Sequence, residues 1–289
     1  MINSSLSIYQ IYFNDEQLSL LDPHFIPYNN AHSSYPEQRE FPVFKHLYEN
    51  QEHKKTALLG AISWKFKEKS HIDGKTFIEF IRQNPGYDVY YINPFPHELY
   101  FHSVWEQAEH FHPGIIDMVQ TVFDQLNYHI NVREIKNLSL TAAYCNFWVG
   151  TESFWEVYMN FVLPVYQYIM QDASEEFRNK LFQPADRITD SVYFPFILER
   201  LFSTLLYINP HIKSIQYSYS EEELIKNYGL YPGKLLHAVI ASDKLGYLDL
   251  RDYIKNNLVY FMGQPGIKVS FILLMRACKK YLSDKLQRL

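Results

Sequence analysis

Residues 104–112 read VWEQAEHFH, and their ionisable groups fall at helical intervals. Glu106, Glu109 and His110 stand at i, i+3 and i+4, so one helix face would present two carboxylates and an imidazole. That set can act as general acid or base, hydrogen-bond sugar hydroxyls, or ligate a divalent ion. Gln107 adds an amide. His112 sits beside the Pro113-Gly114 turn and would point elsewhere. Glu106, Glu109 and His112 are the candidates for catalysis, with Gln107 as an acceptor-side or structural group. The competing reading of each is structural, since the chain carries 12 His.

Four further groups could share such a site. Lys65 and Lys69, in SWKFKEKS, follow an apolar run and can meet a phosphate, or form a solvated basic turn. Asp88 opens DVYYINP, which has the first acid of a metal-binding D-x-D and lacks the second. It is the candidate metal residue, and Asn93 lies near it. Asn146, Trp148 and Thr151, in YCNFWVGT, offer an amide, an aromatic wall and a hydroxyl, while Gly150 permits close approach to backbone or simply serves a turn. Glu199 and Arg200 interrupt an otherwise apolar helix. They form a structural ion pair, or one of them faces a cleft, where an arginine fork suits a diphosphate.

These side chains must be positioned by the elements that precede them. Apolar and β-branched runs predict strands over 8–13, 57–63, 88–92 and 138–148. Helical periodicity predicts helices over 40–50, after Asp73-Gly74, and over 115–126, 154–170 and 194–207. Residues 27–36 and 183–192 read as loops. Strand, helix and strand in succession from 57 to 92 form a βαβ pattern, so the expected class is α/β with a parallel sheet. Ligands in such sheets bind beyond the carboxyl ends of the strands. Three of the clusters follow predicted strands there, which argues for one shared cleft. Past 210 the chain reads as helical, giving an expected division into an α/β part over 1–210 and a helical region over 211–289.

Composition narrows the classes. The chain of 289 residues has 27 basic and 32 acidic residues, and a net charge of −5 offers no global field for nucleic acid. With 24 Tyr, 21 Phe and 4 Trp, aromatic side chains supply an unusual share of a core with a large cleft. Two distant cysteines, Cys145 and Cys278, read as reduced thiols of a cytoplasmic protein. The start, MINSSLSIYQIYF, has no signal-peptide character, and the apolar run 269–275 is too short to span a bilayer. G-x-G-x-x-G, Walker, G-x-S-x-G, H-E-x-x-H and CxxC patterns are all missing, which lowers dinucleotide redox, P-loop and serine-hydrolase chemistry.

Taken in order, IYQIYF, LLGAISWKFKEKS, NPGYDVYYINPFP, WEQAEHFHPG, YCNFWVGT and FPFILERLF resemble bacterial glycosyltransferase-like proteins of surface-polysaccharide gene clusters, over residues 8–207. The F-x-x-E-R-L-F helix is similar to that of GT-A-type enzymes. The resemblance implies a GT-A-like, single Rossmann-type nucleotide-binding domain with a helical C-terminal region. It further implies a nucleotide-sugar donor, a glycan or lipid-linked saccharide acceptor, and a divalent metal (Mg²⁺ or Mn²⁺) held by D-x-D. On that reading Lys65, Lys69, Asp88, Asn93 and Arg200 hold the donor, while Asn146, Trp148 and Glu199 are acceptor-side or structural. Asn93-Pro94-Phe95 departs from D-x-D, so lysine or arginine would neutralise the diphosphate instead. Arg276, Lys279, Lys280, Lys285 and Arg288 give the last expected helix, 268–289, a basic face for peripheral contact with an anionic inner-membrane surface. The alternatives are a non-catalytic carbohydrate-binding or assembly protein, and a metal hydrolase using Glu106, Glu109, His110 and His112.

Overall fold

Three apolar runs close to the chain start carry no polar face, and each becomes a strand covered on both sides. They are β1 (Leu6–Tyr12), β3 (Leu58–Ser63) and β4 (Val89–Tyr91), and their side chains are buried or half-buried, with none exposed. The computed structural model describes residues 5–99, 101–185 and 191–245. With β2 (Ile26–Asn29), β5 (Trp148–Gly150) and β6 (Ser214–Gln216) these strands make a mixed sheet in the order β2-β1-β3-β5-β4-β6. β5 runs antiparallel to both its neighbours, and every other pairing is parallel. The chain is a mixed α/β protein.

The expected βαβ unit is present with one correction. β3 and β4 point the same way, but β5 lies between them. Gly60 permits this insertion, because a Cβ there would lie 2.7 Å from Val149 Cγ2 and 2.9 Å from Trp148 O. The predicted strand over 138–148 shortens to Trp148–Gly150, because residues before it are tied down otherwise. Ala143 exchanges two hydrogen bonds with the Ser203 hydroxyl, and Tyr91 Oη donates to Leu140 O. The stretch 27–36, expected as a loop, begins inside the edge strand β2.

Helices cover both faces, following the alternation of strand side chains. On one side Trp148 meets Phe44 of α1 (Phe41–Glu49), Trp155 of α6 (Glu152–Gln167) and Phe202 of α8 (Tyr193–Ile208). Tyr91 packs on Phe202 on that same side. Its neighbour Tyr90 faces the other way, onto Phe80 of α3 (Gly74–Gln83), beside α2 (Phe66–Ser70). The connection from β4 to β5 carries α4 (Val104–Phe111) and α5 (Ile115–Gln125). α7 (Glu175–Leu181) precedes α8, and α9 (Glu221–Tyr228) and α10 (Leu230–Lys244) follow β6. Because β6 pairs with β4, the expected division at 210 does not separate the sheet from the helices. No helix among the described residues is long and apolar enough to cross a membrane. The expected basic helix over 268–289 lies outside the described residues.

Candidate functional site

The direction of chain travel defines where a ligand can sit. From β1 the chain moves to β2 on one side and later returns to β3 on the other. The connections leaving β1 and β3 therefore diverge, and a crevice opens beyond their carboxyl ends. That crevice is a pocket of about 530 Å³, within the usual range for small-molecule sites. Phe13, Asn14 and Gln17 reach it from the end of β1, and Ser63, Trp64 and Lys65 from the end of β3. Phe95 comes from the loop after β4, and Tyr144 and Cys145 from the segment entering β5. Helix α8 closes the far side with Pro195, Phe196, Glu199 and Arg200.

Lys65 and Lys69 both line the crevice. Lys65 Nζ lies 5.0 Å from the centre of the Trp64 ring. Lys69, on α2, places Nζ 3.4 Å from Cys145 Sγ and 5.6 Å from the Phe95 ring centre. The Cys145 sulfur, followed by the Glu199 and Glu40 carboxylates, holds the Lys69 ammonium well above its ordinary value, against the cost of burial. Cys145 itself is pushed up to about 12 by burial, so near neutrality it is a thiol and the two carboxylates are the effective partners of Lys69.

Of the two arrangements open to Glu199 and Arg200, the structure shows the cleft-facing one for Glu199. Glu199 accepts no hydrogen bond from a described residue, and burial raises its pKa to about 7, with Lys69 opposing and Glu40 reinforcing the rise. Arg200 is 3 % exposed, and its donors are largely committed. Nε bonds Val104 O at 2.9 Å, Nη1 bonds Phe196 O at 2.9 Å and Nη2 bonds Gln107 Oε1 at 2.6 Å. It ties α4 to α8 and leaves little for a diphosphate. Gln107 and His112 also border the crevice, and the His112 ring stacks on Phe196 at 3.9 Å between centroids.

The remaining expected residues lie elsewhere. Glu106 and Glu109 do share a face of α4, but that face lines a different surface hollow with His110, Arg133 and Lys136. Glu106 Oε2 accepts from His102 N at 2.7 Å. Glu109 accepts from Gly114 N at 2.7 Å and Ile116 N at 3.0 Å, capping the start of α5, whose preceding Gly114 has φ 92°. Trp148 is a fully buried core residue. Asn146 lies behind the crevice in a void of about 20 Å³ that also touches Glu40, Lys69 and Glu199. Thr151 caps α6 at the opposite edge of the sheet, because β5 runs antiparallel. Asp88 is at that same far edge, where Oδ2 accepts from Lys213 N at 2.8 Å. Asn93 is buried and accepts from Phe95 N at 3.0 Å.

A divalent metal of the kind the resemblance implies needs several oxygen ligands converging on one point. Asp88 and Asn93 cannot supply them, being at the far edge and turned into the loop. No three His, Cys, Asp or Glu side chains among the described residues form a metal-ligating group. The two crevice carboxylates, Glu40 and Glu199, both act on Lys69. The described residues do not fit the metal.

Sequence reasoning missed Arg39, Glu40, Phe13, Asn14, Gln17 and Phe196. Phe13 and Asn14 carried a usable signal, since Phe13 ends a predicted strand and Asn14 directly follows it. Arg39 carried none: its backbone, at φ 55° and ψ −122°, is outside the regions open to most L-residues and turns the side chain onto the rim. Among the described residues lining the crevice are four cations, Arg39, Lys65, Lys69 and Arg200, against the carboxylates Glu40 and Glu199. Aromatic rings stand between them. Such a lining suits a polyanion joined to an apolar ring or a sugar. Compared with protein-family models, curated proteins and solved structures, the chain matches none.

Proposed function

We propose that the chain is a glycosyltransferase of GT-A-like type, which moves a sugar from a nucleotide-sugar donor to a glycan or lipid-linked saccharide acceptor. One observation carries this reading: a cation-lined crevice at the carboxyl edge, where the sheet reverses its order, with the Glu199 carboxyl, raised to about 7 by burial, facing into it. Lys65, Lys69 and Arg39 lie against the diphosphate, and Trp64, Phe13 and Phe95 supply flat surfaces for the base or sugar rings. In the transfer an acceptor hydroxyl oxygen bonds to the anomeric carbon. The bond from that carbon to the diphosphate oxygen breaks, and the nucleoside diphosphate leaves with the electron pair. Glu199 takes the hydroxyl proton, and its pKa of about 7 matches that task.

The test is a panel of nucleotide-sugars screened by thermal shift. It is followed by an assay for nucleoside diphosphate released in the presence of saccharide acceptors. At least one donor should raise the melting temperature and be turned over. No stabilisation by any donor would remove the reading. Stabilisation without turnover under any acceptor would favour the non-catalytic, carbohydrate-binding alternative.

A further inference from the structure

The loop after β4 is the place where the family resembled would hold a metal, and it presents Asn93, Pro94 and Phe95. What faces Phe95 across the crevice is the Lys69 ammonium, 5.6 Å from its ring. Resting on the donor reading above, we infer that Lys69 takes the place of a divalent metal against the donor's diphosphate, with Lys65 and Arg39 on either side of it.

Three observations carry this. First, the helical turn that carries the ammonium is fixed in position. Lys69 stands on α2, directly beyond β3, and that turn is anchored by the buried Phe66 ring and by Ser70 Oγ bonding Phe66 O at 2.6 Å. Second, it is charged near neutrality: its pKa lies above the ordinary lysine value, raised first by the Cys145 sulfur and then by the Glu199 and Glu40 carboxylates against the cost of burial. Third, the ammonium is not consumed by them, since no carboxylate among the described residues lies within 4.0 Å of it and its near partner is the neutral Cys145 thiol at 3.4 Å. A point cation with three donors, only one of them directed at sulfur, remains open to phosphate oxygens. Among the described residues of the crevice, the groups that could otherwise hold a metal are the two carboxylates, Glu40 and Glu199, that act on Lys69.

The experiment is calorimetric titration of the full chain with UDP, GDP and dTDP, each in EDTA and in excess Mn²⁺. At least one of the three should bind with affinities that agree within about twofold in the two conditions. Lys69→Met should weaken that binding by about tenfold or more, equivalent to about 1.4 kcal/mol, while Lys69→Arg should retain most of it. If K69M does not fold, K69M/E199Q, which removes both charges, is compared with E199Q alone and should show the same loss. Binding that requires Mn²⁺ overturns the inference and leaves the donor reading standing. Metal-independent binding that K69M does not weaken also overturns it. Binding of none of the three under either condition overturns the donor reading, and this inference with it.

Discussion

Replacing Glu199 with glutamine tests the electrostatics of the crevice without reference to any ligand. In the unfolded chain this carboxyl titrates near 4.5, and in the folded protein near 7. A folded value raised above the unfolded one means that the protonated form is favoured by folding. The stability this group allows is therefore fully present below about pH 4.5 and lost as pH rises through about 7. At about 1.4 kcal/mol per pH unit, ionising Glu199 costs the fold about 3 kcal/mol by pH 8. Glutamine mimics the neutral acid and never pays that cost. In urea unfolding, E199Q should match the parent near pH 4.5 and exceed it by an amount growing to about 3 kcal/mol near pH 8. A stability difference that stays flat across this range, or that grows in favour of the parent, would refute the reasoning. Anion binding should show the complementary trend. A diphosphate placed beside Lys69 adds negative charge near Glu199 and Glu40, so UDP affinity should fall as pH rises past 7 in the parent and fall less in E199Q.

Other expectations follow from single contacts. Arg39→Gly should be more stable than Arg39→Ala by about 1 kcal/mol, because glycine tolerates φ 55° and alanine does not; both should weaken nucleotide binding, and equal stability would contradict the strained backbone. Glu109→Ala should cost about 1–2 kcal/mol through loss of its bonds to Gly114 N and Ile116 N, with UDP affinity measured by calorimetry unchanged. A loss of affinity at full stability would return Glu109 to the site. Cys145, despite its lysine neighbour, should resist iodoacetamide at neutral pH until urea is added, as read by peptide mass spectrometry, because burial keeps it a thiol. Rapid native labelling would show that Lys69 activates it.

Much of the architecture was legible because it rests on local periodicity. The helices over 41–49, 115–125 and 193–208 bury the apolar stripes that their spacing announced, and β1 and β3 are the runs with no polar face. Pairing was less legible. Nothing in WVG states that it will enter between β3 and β4 in reverse, since that choice is made by Gly60 on a strand far away in sequence. Within the site, the rule that ligands gather beyond strand ends found Lys65 and Lys69. The same rule misplaced Thr151, because it needs strand direction, while Asp88, singled out as half of a D-x-D, opens its strand and so lies at the opposite edge. The i, i+3, i+4 spacing of Glu106, Glu109 and His110 correctly grouped them on one face of α4. It could not say that Gln107 and His112, on the other side, would be the ones turned to the crevice.

The reversed strand β5 also constrains the order in which the protein can be made. As synthesis passes residue 91, β3 and β4 exist, yet each still lacks the neighbour that will separate them. Nearly sixty more residues must emerge before Trp148–Gly150 can fill the slot. During that interval two bare, apolar strand edges face each other and would pair readily, either together or with another nascent chain. The polar, turn-rich passage 127–141 that delays β5, and the packing that fixes residues 142–145 through Ser203 on α8, mean that the sheet closes only after α8 is available. Expression of fragments ending before residue 208 should therefore yield aggregates, whereas the site can form once that helix has been translated, and β6 completes the sheet a few residues later.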